Sequence, residues 1–163
     1  MSLLEICQWI QDTPIGTSIR ESVWVFPIVE GTHVLALALS VGTLLMVDLR
    51  LTGFIMRDRR VSEVSQQIVP WSLVGFVIMF ITGILLFWCQ AVKAYSSVYF
   101  RIKLAALLLA GINALVFEFR TRRTIVSWDT DPVPPLRAQM AGYAGMILWA
   151  CVIAAGRTMA YNF

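Results

Sequence analysis

Four stretches of this chain, residues 24–46, 69–90, 98–118 and 138–160, each run for about twenty residues with few charges, the length an α-helix needs to cross a bilayer core. Backbone placed in hydrocarbon must satisfy its own N–H and C=O groups, which leaves helices and closed barrels as spanning structures. The chain has 163 residues, so little is left for a separate soluble domain. The expected fold is all-α, an integral membrane four-helix bundle forming a single four-span domain over residues 1–163, with residues 1–21 as a short interfacial segment. Hydrophobic residues at 58% against charged ones at 14% agree with lipid as the main solvent.

The charges that do occur are placed unevenly. Arg50, Arg57, Arg59, Arg60, Arg120, Arg122, Arg123 and Arg137 fall on the first and third connections, whereas Arg20, Lys93, Arg101, Lys103 and Arg157 fall on the opposite side. Positive residues near span ends stay cytoplasmic, so both termini are expected outside. Arg57 to Arg60, followed by Val61, Val64 and Ile68 at helical spacing, predicts a basic amphipathic segment on the inner membrane surface with anionic lipid as its partner. The basic residues are split among membrane-flanking segments and carry no recognition motif, which argues against nucleic acid. Before the first span, Ser2 to Glu5 and Ser18 to Glu21 have capping-box spacing, and Pro14 with Gly16 should break the helix between them. Cys7, Cys89 and Cys151 are odd in number and widely spaced, and give no disulfide framework.

Glu30 and His33 lie one helical turn apart inside the first span, and His33 is the single histidine of the chain. Ionisable residues at membrane depth must find partners or a polar cavity, which makes them functional candidates. With ~1.5 Å of rise per residue, His33, Met79 and Cys151 reach similar depths, ~14 to 17 Å from the outer ends of three different spans. Imidazole, thioether and thiolate together suit Cu(I), with Glu30 orienting His33 or accepting a proton. A b-type haem is the other candidate, with His33 as one axial ligand and Phe26, Phe76, Phe80, Phe87, Trp88 and Trp149 available to line a pocket. One histidine excludes bis-histidine ligation within one chain. Arg101 is the expected partner of Glu30 or of an anionic ligand, while Lys103 and Arg157 are expected to snorkel to headgroups. Asn113 reads as an interhelical hydrogen-bonding residue, and Asp48, Arg50 and Glu118 as ion-paired or solvated groups near the inner surface. Small residues at four-residue spacing, Ala106, Ala110 and Ala114, then Ala141 with Gly145 and Cys151 with Ala155, predict close helix contacts within the bundle or between copies. Neither a nucleophile with a spaced base nor a phosphate-cradling glycine loop is present, so bond-making chemistry is not expected.

The run Glu21 to Gly42, then Val47-Asp48-Leu49-Arg50-Leu51-Thr52-Gly53, resembles a family of small four-span bacterial membrane proteins catalogued as a domain of unknown function. Trp71, Gly75-Phe76, Thr82-Gly83, Phe100-Arg101-Ile102-Lys103 and Asn113 to Phe117 extend the resemblance over nearly the whole chain. It implies a bacterial inner-membrane protein without an assigned activity. In many members the third span closes with a histidine where this chain has Glu118, so a shared two-histidine ligand set would be incomplete here. The Arg101-x-Lys103-Leu104 opening of the third span is also similar, more distantly, to the copper-resistance D-type membrane domain, which implies metal handling near the outer half. The expected function is electron or metal transfer at a copper or haem b site around Glu30 and His33. The alternatives are a structural or assembly subunit of a larger membrane complex and a small-ion transporter using Arg101 and His33.

Overall fold

Uninterrupted apolar runs give the chain helices that are greasy around most of their circumference, and the computed structural model, which describes residues 2–161, is built of them. In order they are α1 Leu3–Gln11, α2 Pro14–Glu21, α3 Val25–Leu51, α4 Val61–Cys89, α5 Ala91–Ser96, α6 Val98–Val116 and α7 Leu136–Tyr161. The third spanning helix continues past α6 through a π turn, Phe117–Thr121, and a 3-10 turn, Arg122–Ser127. The four long runs are each long and apolar enough to cross a membrane. They overrun the expected spans chiefly at one end, because hydropathy marks where lipid begins, whereas a helix stops only where its backbone finds other partners.

Helix α3 is the centre. It packs on α4 along one side and on α7 along another, and α6 packs on α7. The α3–α4 seam is a backbone contact: a Cβ added to Gly75 would lie 2.8 Å from the Ser40 nitrogen and 2.9 Å from the Ala36 carbonyl oxygen. Ser72 Oγ donates to the Ser40 carbonyl at 3.2 Å in the same place. The α3–α7 seam uses Gly142 and Gly145, which a Cβ would drive into the Asp48 carbonyl and carboxylate. Small residues let helices approach this closely where lipid supplies no hydrophobic drive. The buried face of α7 runs Ala138, Gly142, Gly145, Trp149, Val152 and Ala155, so of the expected stripe Gly145 and Ala155 turn inward while Cys151 is exposed. Ala36, Met79, Ala106, Ala110, Trp149 and Val152 form one core cluster in which all four long helices meet, and Asn113 Nδ2 donates to the Ala141 carbonyl at 2.9 Å across α6 and α7.

The N-terminal helices cap one end. Ser2 and Glu5 form the expected capping box, and α1 docks on α5 with Gln11 Oε1 accepting the Val92 amide at 3.1 Å. The second capping box is not the one that forms. Pro14 starts α2 at its first position under a Thr13 cap, since proline lacks the N–H that this position would leave unpaired. The Trp88 indole N–H donates to Thr13 Oγ1 at 2.8 Å and ties this cap to α4.

The opposite, arginine-rich end is closed by the α6–α7 connection. Arg50, reached by no solvent, sends Nε to the Arg59 carbonyl and Nη2 to the Asp131 carbonyl, both at 2.9 Å. Asp129 accepts from the Ser62 amide at 2.7 Å and the Ser62 hydroxyl at 2.6 Å, while its own carbonyl accepts the Val61 amide. Gly53, at φ 73°, lets the α3–α4 connection turn beneath Pro132 to Pro134, a left-handed conformation that glycine adopts without steric penalty. Two expectations change here. Residues 61–68 do not form a separate surface segment; they are the first turns of α4, and Val61, Val64 and Ile68 face protein, with Val61 and Ile68 packing around Val47, Leu51, Trp128 and Ala138. Arg50 is not solvated, and among the described residues it is not paired side chain to side chain; it is buried against two loop carbonyls.

Two outcomes follow for this end. Replacing Arg50 by Lys should lower unfolding stability in lipid nanodiscs by on the order of 2 kcal/mol, because one ammonium cannot span two carbonyls that a guanidinium fork bridges; a Lys variant as stable as the parent would contradict the clasp. Burial alone would raise the Asp129 carboxyl, but the Ser62 bonds and the charges of Arg60 and Arg50 hold it below its ordinary value. Its contribution is thus complete above the usual carboxylate pKa of about 4 and is lost as pH falls through the lowered one. Asp129→Asn should flatten the acid limb of a thermal-unfolding pH series.

Candidate binding site around His33

One polar group reaches across the α3–α4 seam toward the capped end. His33 Nδ1 lies 3.0 Å from Thr82 Oγ1, and a Cβ on the next residue, Gly83, would stand 3.2 Å from the His33 Cε1. The imidazole therefore occupies a notch that α4 opens by carrying glycine beside threonine. Thr82 Oγ1 is itself placed against the carbonyls of Ile78, at 2.7 Å, and Met79, at 3.1 Å. Its one hydroxyl proton goes to its own helix, which leaves an oxygen lone pair to accept from His33 Nδ1–H. That arrangement suits the tautomer with the proton on Nδ1 and the lone pair on Nε2. The Met79 backbone also lies within hydrogen-bonding reach of the ring. Thr82 stands seven residues before the end of α4 at Cys89, ~10 Å below the capped end of the bundle.

Lys103 is the charged group that acts electrostatically on the ring. It enters from α6 with its side chain along Gly156 of α7, whose added Cβ would lie 3.7 Å from the Lys103 Nζ. The bare surface of Gly156 gives the alkyl stem a path between helices. Arg101 instead stays exposed, its Nη2 donating to the Tyr95 carbonyl at 3.3 Å with the guanidinium over the Tyr95 ring at 5.9 Å. Glu30 is exposed and makes no hydrogen bond or ion pair with His33 or Arg101 among the described residues. One turn of separation puts it on the same side of α3, but nearer the helix end and off the seam.

The three soft ligands do not converge. Met79 is buried in the core cluster next to Thr82, while Cys151 is exposed on the outer wall of α7; equal depth left the azimuth open, and the two residues face differently. No group of three His, Cys, Asp or Glu residues is arranged for a metal ion among the described residues. The aromatic residues are dispersed as well. Phe87 stacks on Phe100 at 5.7 Å between α4 and α6, Phe80 is exposed, and Trp149 lies in the core. Glu118 is exposed and paired with Arg122 one turn on. Sequence reasoning passed over Thr82 and Gly83 as site residues, although a Thr-Gly pair inside an apolar span is the signal of a hydroxyl beside a gap.

Four helices of spanning length around a polar notch define a multi-pass helical membrane protein. The chain belongs to the Family of unknown function (DUF6644), whose model matches residues 16–162. Comparison with curated proteins and with solved structures gives no match.

If Thr82 and His33 share one hydrogen bond, Thr82→Val and His33→Leu should each lower stability by roughly 1 kcal/mol, and the double variant should lose little more than either alone. Additive losses in a thermal-unfolding cycle would show that the two side chains do not interact.

Proposed function

We propose that this chain is a membrane-embedded redox-cofactor protein that holds a b-type haem through His33 and passes electrons without making or breaking covalent bonds in a substrate. The observation that supports this reading is the pinned imidazole: Thr82 holds Nδ1 across the seam, and Nε2 would be the nitrogen that ligates the metal. Metal-ligating histidines are held in this way by a hydrogen bond at the second ring nitrogen. Lys103 favours haem over copper as the group bound. A bare copper ion gains nothing from an ammonium beside its one nitrogen ligand, whereas a haem carries propionates that an ammonium binds. His33 would hold the haem iron and Lys103 its propionates, and the group would supply a one-electron couple between donor and acceptor.

A second reading, an accessory or assembly subunit with no cofactor of its own, is favoured by Glu30. Its carboxylate is exposed on the wall of a spanning helix, where a cation or donor from a neighbouring subunit, or from a second copy, would satisfy it. The His33–Thr82 bond is then interhelical glue. The transporter reading draws least support, since Arg101 is held at Tyr95 and is not turned toward His33. In either of the first two readings the exposed Arg57, Arg59, Arg60, Arg123 and Arg137 suit anionic headgroups, and the arginine-rich end would face the cytoplasm of a bacterial inner membrane.

Optical spectra of protein purified from its native membrane separate the readings. A Soret band that disappears in His33→Ala, and a midpoint potential that falls in Lys103→Met because a positive charge beside the iron has been removed, are the expected results. Absence of a Soret band in the parent protein, with larger subunits co-purifying and lost in Glu30→Gln, would replace the haem reading by the accessory one.

A further inference from the structure

One groove on the outer wall of the bundle carries a charge of each sign at its mouth. On α3, Glu30, Val41 and Leu45 fall within ~60° of one another around the axis, and on α7 so do Met146, Ala150, Ile153 and Arg157, at ~100° per residue. The lower members of both rows line a half-open, almost wholly apolar cavity of about 190 Å³ between the two helices. The rows that carry Glu30 and Arg157 are therefore those that face each other across the α3–α7 groove. Their heights agree as well. Asp48 meets Gly145 across the seam; Glu30 stands eighteen residues above Asp48, and Tyr161 sixteen above Gly145, ~27 and ~24 Å toward the capped end. Arg157 extends its guanidinium over the Tyr161 ring, 5.0 Å from the centroid, and so reaches toward the level of Glu30. Both charges are exposed, and neither has an ion pair or hydrogen bond among the described residues.

An apolar cavity on the lipid side of a spanning bundle asks only for hydrocarbon, and the charges at the mouth decide which molecule brings it. One leaflet is half of a core ~30 Å thick. An acyl chain whose headgroup is level with Glu30 therefore ends ~15 Å below it, and Val41, eleven residues on, lies ~16 Å below it. The last methylenes of an extended chain enter the cavity at its Val41 end, and the space takes roughly six of them at about the ~30 Å³ of a liquid water each. At the mouth, the Arg157 guanidinium suits a phosphate through paired N–H groups, and the Glu30 carboxylate suits an ammonium. The same carboxylate repels a headgroup that is only anionic. A second copy of the chain also brings both signs of charge, but it would meet the groove with a helix ridge, which covers the cavity without filling it.

We infer that the α3–α7 groove binds one zwitterionic phospholipid of the phosphatidylethanolamine class. Its ammonium sits on Glu30, its phosphate on Arg157, and the end of one acyl chain lies in the cavity below Val41. Glu30 is then the residue that selects the headgroup. His33 turns into the α3–α4 seam instead, so lipid retention and haem content are separate measurements. A neighbouring subunit that used Glu30 would compete with this lipid.

Native mass spectrometry of the full chain, released from dodecyl maltoside micelles after incubation with equal amounts of dioleoyl phosphatidylethanolamine and dioleoyl phosphatidylglycerol, tests this. One retained phosphatidylethanolamine per chain is expected, favoured over phosphatidylglycerol by about fivefold. Glu30→Gln should abolish the preference, Glu30→Lys should reverse it, and Arg157→Gln should weaken retention of both lipids. Ile153→Trp, which fills the cavity, should lose the adduct of either lipid while thermal unfolding shows the chain folded; should that variant fail to fold, Ala150→Leu is measured in its place. A parent chain that holds both lipids equally or holds neither, or a folded Glu30→Gln that keeps the parent's preference, would overturn the assignment. So would a lipid-free dimer that Glu30→Gln dissociates, which would put a second copy in the groove.

Discussion

The bundle depends on the backbone of α3 being approached closely from two sides. Gly75 brings α4 against Ala36 and Ser40, and Gly142 with Gly145 brings α7 against Asp48, Leu51 and Thr52. In lipid there is little to gain from burying one apolar surface against another, since the tails are as apolar as leucine. Contact must come from dispersion and short polar links, and both fall away steeply with distance. A methyl group at Gly75 or Gly142 would meet main-chain atoms first, and one at Gly145 would meet the Asp48 carboxylate. The seams thus set where α4 and α7 stand, and α6 follows α7 through Asn113 and the small face of Ala106 and Ala110.

Much of this architecture is legible from composition along the chain. Runs of about twenty apolar residues can do little else but cross a bilayer as helices, and four runs give the spanning helices that the structure has. Less legible is where each helix stops. Pro70 lies ten residues into α4 and does not begin it, because within a long helix one missing N–H is tolerated when neighbouring residues hold the turn. Residues 61–68 look amphipathic from sequence, and they are; the apolar face is turned to protein, which periodicity cannot distinguish from lipid. Arg50 is a sharper case. Its guanidinium is held through Nε and Nη2 by main-chain carbonyls of Arg59 and Asp131, and carbonyls are present at every residue, so no side-chain pattern announces them.

The candidate site was legible in its centre and illegible in its surroundings. A lone histidine in a span marks itself, and it does turn toward a neighbouring helix. Depth follows from counting residues, but rotation about the helix axis does not, and a ligand set needs both. Met79 and Cys151 match His33 in depth while one is in the core and the other on the outer wall. The exchange between Arg101 and Lys103 has the same origin. Two residues apart on α6, they point about 200° apart around the axis at ~100° per residue, so one of them entering the bundle takes the other out of it. Which one enters is decided by Gly156 on α7, a residue far off in sequence whose missing side chain admits the lysine stem.

A common device links the polar groups of the interior. His33 sits against Gly83, Lys103 against Gly156 and Asp48 against Gly145, each a charged or ionisable side chain on one helix facing a glycine on the next. The glycine supplies volume at the helix surface without adding a polar partner, so the polar group is admitted without being satisfied. Ordinary packing would do the reverse, either filling the gap with a methyl group or placing a donor or acceptor opposite. For His33 the Thr82 hydroxyl satisfies one nitrogen and leaves the other; for Asp48 no described residue completes the carboxylate. The two such notches on α3, near its opposite ends and facing different neighbours, leave the middle of the helix to do the packing.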